Sequence, residues 1–252
     1  MCRYVQNRRV ATFLPLCVAL ACFCGLLGGR VAYAARPMIT DDARVVDAKS
    51  CQLETWMQFY LSGMEYWALP GCNFFGNLEL TLGGALSKEV AKSTRATDAL
   101  FQGKLLLKPL EPNGWGAGLT MGYVYRSTAH VRDLLGDFYA YFPASFSFFE
   151  DFFVLHVNMG WLYERAARQN HLTWGLGSEI QLSGRSWLIS ELFGRESFRP
   201  SQNQPFFHAG LRIWLLPERL QIDGTYGGQF GNNTRERWFS VGLRLLSPPF
   251  LP

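Results

Sequence analysis

Alternation of apolar and polar side chains over long stretches is the feature that most constrains the fold of this chain. From Phe153 to Tyr163 every odd-numbered position is apolar, whereas His156, Asn158 and Glu164 occupy even positions. A period of two is that of a β-strand whose two faces meet different surroundings. Comparable runs cover residues 77–82, 114–123, 172–181 and 238–245. The dominant element of the fold is therefore predicted to be an amphipathic strand.

The length and composition of these runs favour a membrane barrel over a soluble sandwich. Globular strands usually span ~5–6 residues, and several runs here are about twice as long. Their apolar faces often begin or end in Trp, Tyr or Phe, as the aromatic girdles of outer-membrane barrels do. Only 17% of the residues are charged, against roughly 25% in average globular chains. We therefore predict an all-β fold, a transmembrane antiparallel β-barrel.

The strand count follows from the links between the runs. Eleven runs are clear, and a single-chain bacterial barrel is expected to have an even number of strands. Residues 64–69 supply a short twelfth strand, paired with Cys51–Tyr60 through a turn at Leu61–Gly63. Twelve strands are predicted, with ten as the second choice. Short links are expected at the periplasmic side, at Pro70–Asn73, Lys108–Gly114, Phe149–Asp151, Ser183–Ser186 and Leu216–Arg219, in strict alternation with longer polar links at the outer side.

The N-terminal segment predicts export. Arg3, Arg8 and Arg9 precede an apolar run, and small residues at Ala32 and Ala34 fit a signal-peptidase site. A membrane anchor and a lipoprotein signal at Cys22 are the alternatives. The predicted organisation is a signal peptide (1–34), a periplasmic arm (35–50) that partly plugs the lumen, an outer-membrane barrel (51–247) and a C-terminal tail (248–252). Without the four arginines of 1–34, 20 basic residues balance 20 acidic ones, so charge gives no reason to expect a nucleic-acid partner.

Two cysteines, Cys51 and Cys72, remain after removal of the signal. An even number in an exported protein suggests a disulfide, and two buried free thiols are the alternative. A turn centred between Leu61 and Ser62 would place Cys51 opposite Cys72, at a separation that a disulfide can bridge. No metal site or cofactor is expected, because two isolated thiols supply too few ligands.

The polar faces of the strands define candidate lumen residues. If Pro217 and Glu218 form a two-residue loop, Arg212 lies opposite Asp223 on the neighbouring strand. Such pairs either stabilise the wall or form a charged constriction that selects solutes. The orientation of Glu191 is open, because Trp187–Phe193 has no clean polar face. The candidates for the lumen or for selectivity are Glu54, Glu79, Lys104, His156, Asn158, Glu179, His208, Arg212, Asp223 and Arg244.

These features favour a narrow channel or transporter in the outer membrane. The expected partners are outer-membrane lipid, the barrel assembly machinery and a small-molecule solute. A non-conducting barrel with a structural or surface role is the main alternative. An outer-membrane lipid hydrolase that uses His156 with Asn158 or a serine is the weaker one, because no serine has a special glycine-flanked context. No catalytic residue is assigned.

Two segments carry a family resemblance. Residues 35–48 (ARPMITDDARVVDA) resemble the start of outer-membrane transporters of the MetA-pathway phenol-degradation type. Residues 219–227 (RLQIDGTYG) and 238–252 (WFSVGLRLLSPPFLP) resemble the closing hairpin of the same group. The chain departs from common barrels in ending with Phe250-Leu251-Pro252. The resemblance implies small hydrophobic or aromatic solutes and brings no catalytic residues.

Overall fold

The structure, a computed structural model, describes residues 38–89, 95–126, 137–197, 205–230 and 237–251. The predicted signal peptide lies outside these ranges. Twelve strands close into one antiparallel barrel, in which each strand pairs with its sequence neighbours and β1 pairs with β12. The strands are β1 (Ser50–Tyr60), β2 (Gly63–Asn73), β3 (Leu78–Glu89), β4 (Arg95–Lys108), β5 (Trp115–Arg126), β6 (Phe138–Phe148), β7 (Phe153–Glu164), β8 (Gln169–Ser183), β9 (Ser186–Ser197), β10 (Phe206–Leu216), β11 (Leu220–Gln229) and β12 (Arg237–Leu246).

The two faces of the strands alternate as the sequence predicts. In β12 every second residue is buried and the intervening residues are exposed. In β7 Val157, Met159 and Trp161 are exposed, whereas His156 and Asn158 are buried. Exposed side chains on the barrel are therefore mostly large and apolar, and buried ones are mostly polar. This inverts the pattern of a soluble protein and fits a lipid-facing exterior. Within the described ranges, no helix is long and apolar enough to cross a membrane.

A charge on the outer face tests this orientation. Met159 lies near the middle of β7 and is 62% exposed. We expect Met159→Arg to destabilise the barrel in lipid vesicles by about 2–4 kcal/mol, as arginine does at the bilayer midplane. Leu61→Arg, in the β1–β2 turn, is the control and should cost at most ~1 kcal/mol near the interface. Equal, small losses of urea stability in the two variants would contradict a lipid-facing β7.

The predicted disulfide joins Cys51 and Cys72, whose Cα atoms lie 4.1 Å apart in directly opposed positions of β1 and β2. The predicted link at Pro70–Asn73 is wrong, because β2 continues to Asn73 and the link is 74–77. Pro70 pairs with Leu53 in β1, and the β2–β3 ladder omits the positions of Leu69 and Pro70. Since proline has no N–H to donate, it interrupts this ladder without ending the strand.

Loss of the disulfide should weaken the barrel measurably. The bond spans 21 residues of sequence, and a loop of that size corresponds to about 2–4 kcal/mol. We expect Cys51→Ala/Cys72→Ala to lower the free energy of unfolding by that amount, measured by urea titration in detergent micelles. Dithiothreitol should lower the stability of the unsubstituted protein similarly and leave the double variant unchanged. An equal effect of dithiothreitol on both proteins would show that it acts elsewhere.

The link lengths depart from strict alternation. The link between β7 and β8 contains only residues 165–168, whereas residues 109–114 form a six-residue link between β4 and β5. The cause is strand extension, because β8 is 15 residues long and already begins at Gln169. The mouth where β1 begins and β12 ends is called the terminal mouth below, and the opposite one the loop mouth.

Candidate functional site

The lumen of the barrel contains a segment of the chain itself. Residues 38–49, called the arm, precede β1 and make hydrogen bonds to the inner faces of several strands. Thr40, Asp42, Ala43 and Val46 are at most 2% exposed. The arm rises from the terminal mouth at Lys49 to the middle of the barrel at Met38. Its polar partners define the candidate site.

The upper end of the arm is bound by Glu191 of β9. The Glu191 carboxylate accepts hydrogen bonds from the backbone N–H of Ile39 at 2.9 Å and of Thr40 at 2.7 Å. It also accepts from Nδ1 of His208 at 2.7 Å, and Nε2 of that ring contacts Thr225. Glu191 therefore faces the lumen, which settles the orientation that the sequence leaves open. A buried carboxylate with several donors satisfies N–H groups that could reach no water.

Next to this anchor, two acidic residues of the arm meet a lysine of the wall. Lys104 Nζ donates to Asp41 Oδ1 at 2.8 Å and to Asp42 Oδ1 at 3.0 Å. Asp41 Oδ2 accepts from Tyr141 Oη at 3.1 Å and from Thr120 Oγ1 at 3.3 Å. The side-chain amide of Asn158, in the orientation that satisfies both of its ends, pairs with the backbone N–H and C=O of Asp41.

A relay of polar groups holds the middle of the arm. The Ala43 N–H donates to Ser145 Oγ at 2.8 Å, and Ser145 Oγ shares a hydrogen bond with His156 Nδ1 at 2.8 Å. His156 Nε2 lies 3.6 Å from Glu179, which also binds Arg44 of the arm at 3.2 Å and Arg212 at 2.8 Å. The order resembles a nucleophilic triad. Ser145 and His156 are fully buried, however, and the serine oxygen is occupied by the arm.

The base of the arm packs against the wall near the terminal mouth. Glu79 accepts from the Val46 N–H at 2.8 Å, and Asn73 Nδ2 donates to the Val46 carbonyl at 2.7 Å. The Val46 side chain joins a buried apolar cluster with Trp187, Trp214 and Leu246. At the mouth, burial raises the pKa of Asp47, and nearby Glu218 adds to that rise. The backbone N–H groups of Phe250 and Leu251 donate to Lys49 O, so the tail closes against this base.

Two glycines of β8 make room for the arm. A Cβ on Gly175 would lie 2.5 Å from Thr40 Oγ1, and one on Gly177 would lie 3.3 Å from Thr40 Cβ. A side chain at Gly175 would therefore displace Thr40. Glycine in a strand commonly marks such a close approach.

The lumen half near the loop mouth is apolar on one side. The side chains of Trp56, Trp67, Ala85, Leu100, Val124, Tyr139 and Leu162 form a buried cluster, with Leu69 and Tyr141 packed against it. The Trp56 and Trp67 rings are stacked, with centroids 5.4 Å apart. The β1–β7 wall is thus apolar toward the loop mouth and polar around the arm.

All ten residues predicted for the lumen face inward. Lys104, Asn158, Glu79 and Glu179 contact the arm directly, whereas His156 and His208 contact it through Ser145 and Glu191. Arg212 lies opposite Asp223 in the register, as predicted, and binds Glu179. The predicted two-residue loop is wrong, because the link contains three residues, 217–219, and the register shifts between Trp214 and Leu216. Arg244 binds Gln52 at 2.8 Å and lies 3.7 Å from Glu54. Gln52 also donates from Nε2 to Glu79 at 2.9 Å, which joins Arg244 to the residues around the arm.

Sequence reasoning missed the arm's own contribution. Asp41, Asp42 and Arg44 were not among the candidates, nor were Ser145 and Glu191 of the wall. The sequence did contain a signal for the acidic pair. Lys104 was predicted to lie in the lumen, and a buried cation requires an anionic partner, which Asp41 and Asp42 could supply. Among the described residues, no group of three His, Cys, Asp or Glu side chains is arranged to hold a metal ion.

One protein family matches the chain. A family profile described as "Uncharacterised conserved protein UCP029691" matches residues 23–246. No curated protein sequence matches the chain.

Solved structures of similar fold are outer-membrane channels. A NanC porin superposes with a TM-score of 0.57 at 10% identity, over 77% of this chain and 98% of that chain. A KdgM porin in complex with disordered oligogalacturonate gives 0.56 at 10% identity, over 78% and 98%. The COG4313 outer membrane channel from Pseudomonas putida F1 gives 0.51 at 9% identity, over 81% and 97%. At these identities the likeness establishes the fold, which is that of an outer-membrane barrel.

Proposed function

We propose that this chain, which belongs to the family described as Uncharacterised conserved protein UCP029691, is an outer-membrane channel for small solutes that its own N-terminal arm closes. The predicted signal peptide delivers it across the inner membrane, and the barrel assembly machinery inserts it. The solutes implied by the sequence resemblance are small hydrophobic or aromatic compounds. Three proteins of similar fold, described as porins or a channel, support the class.

The observation that carries the proposal is the polar attachment of the arm. Hydrogen bonds and ion pairs attach the arm to the wall along its length, from Glu191 at the upper end to Glu79 at the base, and Val46 adds an apolar contact near the terminal mouth. Water can replace such partners, so that their net contribution is only ~0.5–1.5 kcal/mol for each neutral bond and ~1.5–3 kcal/mol where a charge takes part. The buried apolar side chains of the arm are Met38, Ala43 and Val46, and their exposure is the apolar cost of its departure. Departure of the arm would open a path lined by the polar lumen residues.

A non-conducting structural barrel is the second candidate. Leu100, Val124 and Leu162 point inward and are at most 2% exposed, so one side of the lumen packs like a core. In that case the arm would be a permanent part of the fold. His156 would then serve, as in the channel, to position Ser145 against the arm.

Planar-bilayer conductance separates the two candidates. The chain from Ala35 and a shortened chain from Ser50 would be refolded and reconstituted at equal protein amounts. We expect rare openings from the first and steady conductance from the second. A shortened barrel that is folded, judged by its heat-modifiable mobility on gels, but closed at all voltages would refute the channel. Should the shortened chain fail to fold, the Gly175→Val chain described in the Discussion gives the same readout with the arm retained.

A further inference from the structure

Asp41 occupies a site that the wall builds for a carboxylate. Its side-chain oxygens accept hydrogen bonds from Lys104 Nζ at 2.8 Å, Tyr141 Oη at 3.1 Å and Thr120 Oγ1 at 3.3 Å. The three donors come from β4, β5 and β6, and none belongs to the arm. Lys104 and Thr120 are 4% and 0% exposed. We call these three residues the carboxylate cradle.

Opening of the channel leaves this cradle without its ligand. When the arm departs, Lys104 loses both Asp41 and Asp42, and the water that enters the lumen is a weaker partner for its ammonium group than a carboxylate at hydrogen-bonding distance. Glu79 lies opposite Lys104 in the β3–β4 register and keeps its hydrogen bond from Gln52 Nε2 at 2.9 Å. It supplies one carboxylate, whereas the arm supplies two, Asp41 and Asp42. A carboxylate from solution can restore the contacts that Asp41 makes, because its geometry and charge are the same.

The surroundings of the cradle specify the rest of the ligand. Tyr141 belongs to the cradle through its hydroxyl and packs with its ring against the apolar cluster at the loop half. Its ring is also stacked on Tyr139, with centroids 5.9 Å apart. A molecule whose carboxylate binds Lys104 would therefore place its body against aromatic and aliphatic side chains. That body is apolar, and a flat ring suits the stacked tyrosines.

Resting on the proposed function, we infer that the solute is a small organic carboxylate with an apolar or aromatic body, and that it opens the channel by replacing Asp41 in the carboxylate cradle. The solute and the arm compete for Lys104, so binding of one weakens binding of the other. Because the solute binds Lys104 only after Asp41 has left it, binding of the solute raises the population of barrels whose arm is released. When no solute is bound, the Asp41 carboxylate occupies its place in the cradle and keeps the channel closed.

The test uses benzoate as the probe and benzamide as its neutral isostere, on the full chain from Ala35 in planar bilayers. We expect millimolar benzoate to raise the open fraction at least tenfold and benzamide to leave it unchanged. Asp41→Asn should lower the benzoate concentration needed by about tenfold, because the competing charge is gone. Lys104→Gln should abolish the benzoate response. Lys108→Gln is the matched control and should retain it, because Lys108 lies at the terminal mouth, where its side chain is 34% exposed.

The outcomes separate this inference from the channel itself. If the chain from Ser50 conducts but benzoate and benzamide act equally on the full chain, the carboxylate assignment is wrong and the channel stands. A benzoate response that survives Lys104→Gln would also overturn the assignment. If neither the chain from Ser50 nor the Gly175→Val chain conducts, the proposed function fails and this inference fails with it. Intrinsic tryptophan fluorescence of the Ser50 chain checks benzoate binding independently, through Trp56 and Trp67.

Discussion

Substitution of Gly175 by valine is expected to open the barrel. A Cβ at this position would lie 2.5 Å from Thr40 Oγ1 and 3.2 Å from Thr40 Cβ, so the arm must move. Overpacking of this kind costs about 1–3 kcal/mol, which corresponds to about a 5–150-fold shift of the equilibrium between bound and released arm. The open fraction in planar bilayers should rise by that factor. The barrel itself should be unaffected, because valine is favourable in strands.

A control on the outer face separates arm displacement from general damage to the sheet. Gly224 lies in β11, and a Cβ there would have no heavy atom within 4 Å. Gly224→Val should keep the conductance of the unsubstituted chain. An unchanged open fraction in a folded Gly175→Val barrel would mean that the arm can shift inside the lumen without leaving it. The same rise in both valine variants would point to a damaged wall.

Loss of the Glu191 charge should release the upper end of the arm. Its carboxylate accepts the Ile39 and Thr40 N–H groups and the His208 ring. In Glu191→Gln one oxygen becomes an NH₂ donor, which leaves buried donors facing another donor. Each unsatisfied donor costs about 1–3 kcal/mol, so we expect the arm to be weakened by about 2–4 kcal/mol. Hydrogen exchange measured by mass spectrometry should show faster exchange in the arm.

Glu54→Gln is the matched control for this substitution. Glu54 is also a lumen carboxylate, but it lies 3.7 Å from Arg244, whereas the Ile39 and Thr40 N–H groups donate to Glu191. Exchange in residues 38–49 should remain slow in this variant. Equally slow exchange in Glu191→Gln would show that the contacts at Glu79, Lys104 and Ser145 suffice to hold the arm.

The barrel could be predicted from the sequence because the signals that specify it involve residues close together along the chain. The period of two assigns each side chain to lipid or lumen, and two tight turns fix the registers of Cys51 with Cys72 and of Arg212 with Asp223. Prediction failed where local signals conflict. Pro70 suggested a link, although a strand tolerates a missing donor at one position. The orientation of Glu191 stayed open because the lumen face of β9 carries the apolar side chains of Trp187 and Ile189 beside this carboxylate.

The contacts of the arm could not be predicted in the same way. Residues 38–49 have no periodicity. The side chains beyond β1 that form hydrogen bonds with them belong to eight different strands, β2–β9. The pairing of Asp41 with Lys104 spans 63 residues of sequence and depends on where the closed wall places its inner faces. Composition could suggest that an acidic arm would meet a lumen lysine, but only the closed barrel specifies which of its atoms lie within hydrogen-bonding distance.

The presence of the arm inside the lumen is tested most directly by cysteine cross-linking. The Cβ of Thr40 lies 3.3 Å from the position of a Cβ on Gly177, close to the ~3.5–4.5 Å found in disulfides. In a Thr40→Cys/Gly177→Cys chain with Cys51 and Cys72 changed to alanine, the structure predicts spontaneous bond formation, with both thiols protected from maleimide until reductant is added. Both thiols reacting with maleimide in the folded, unreduced barrel would contradict the account.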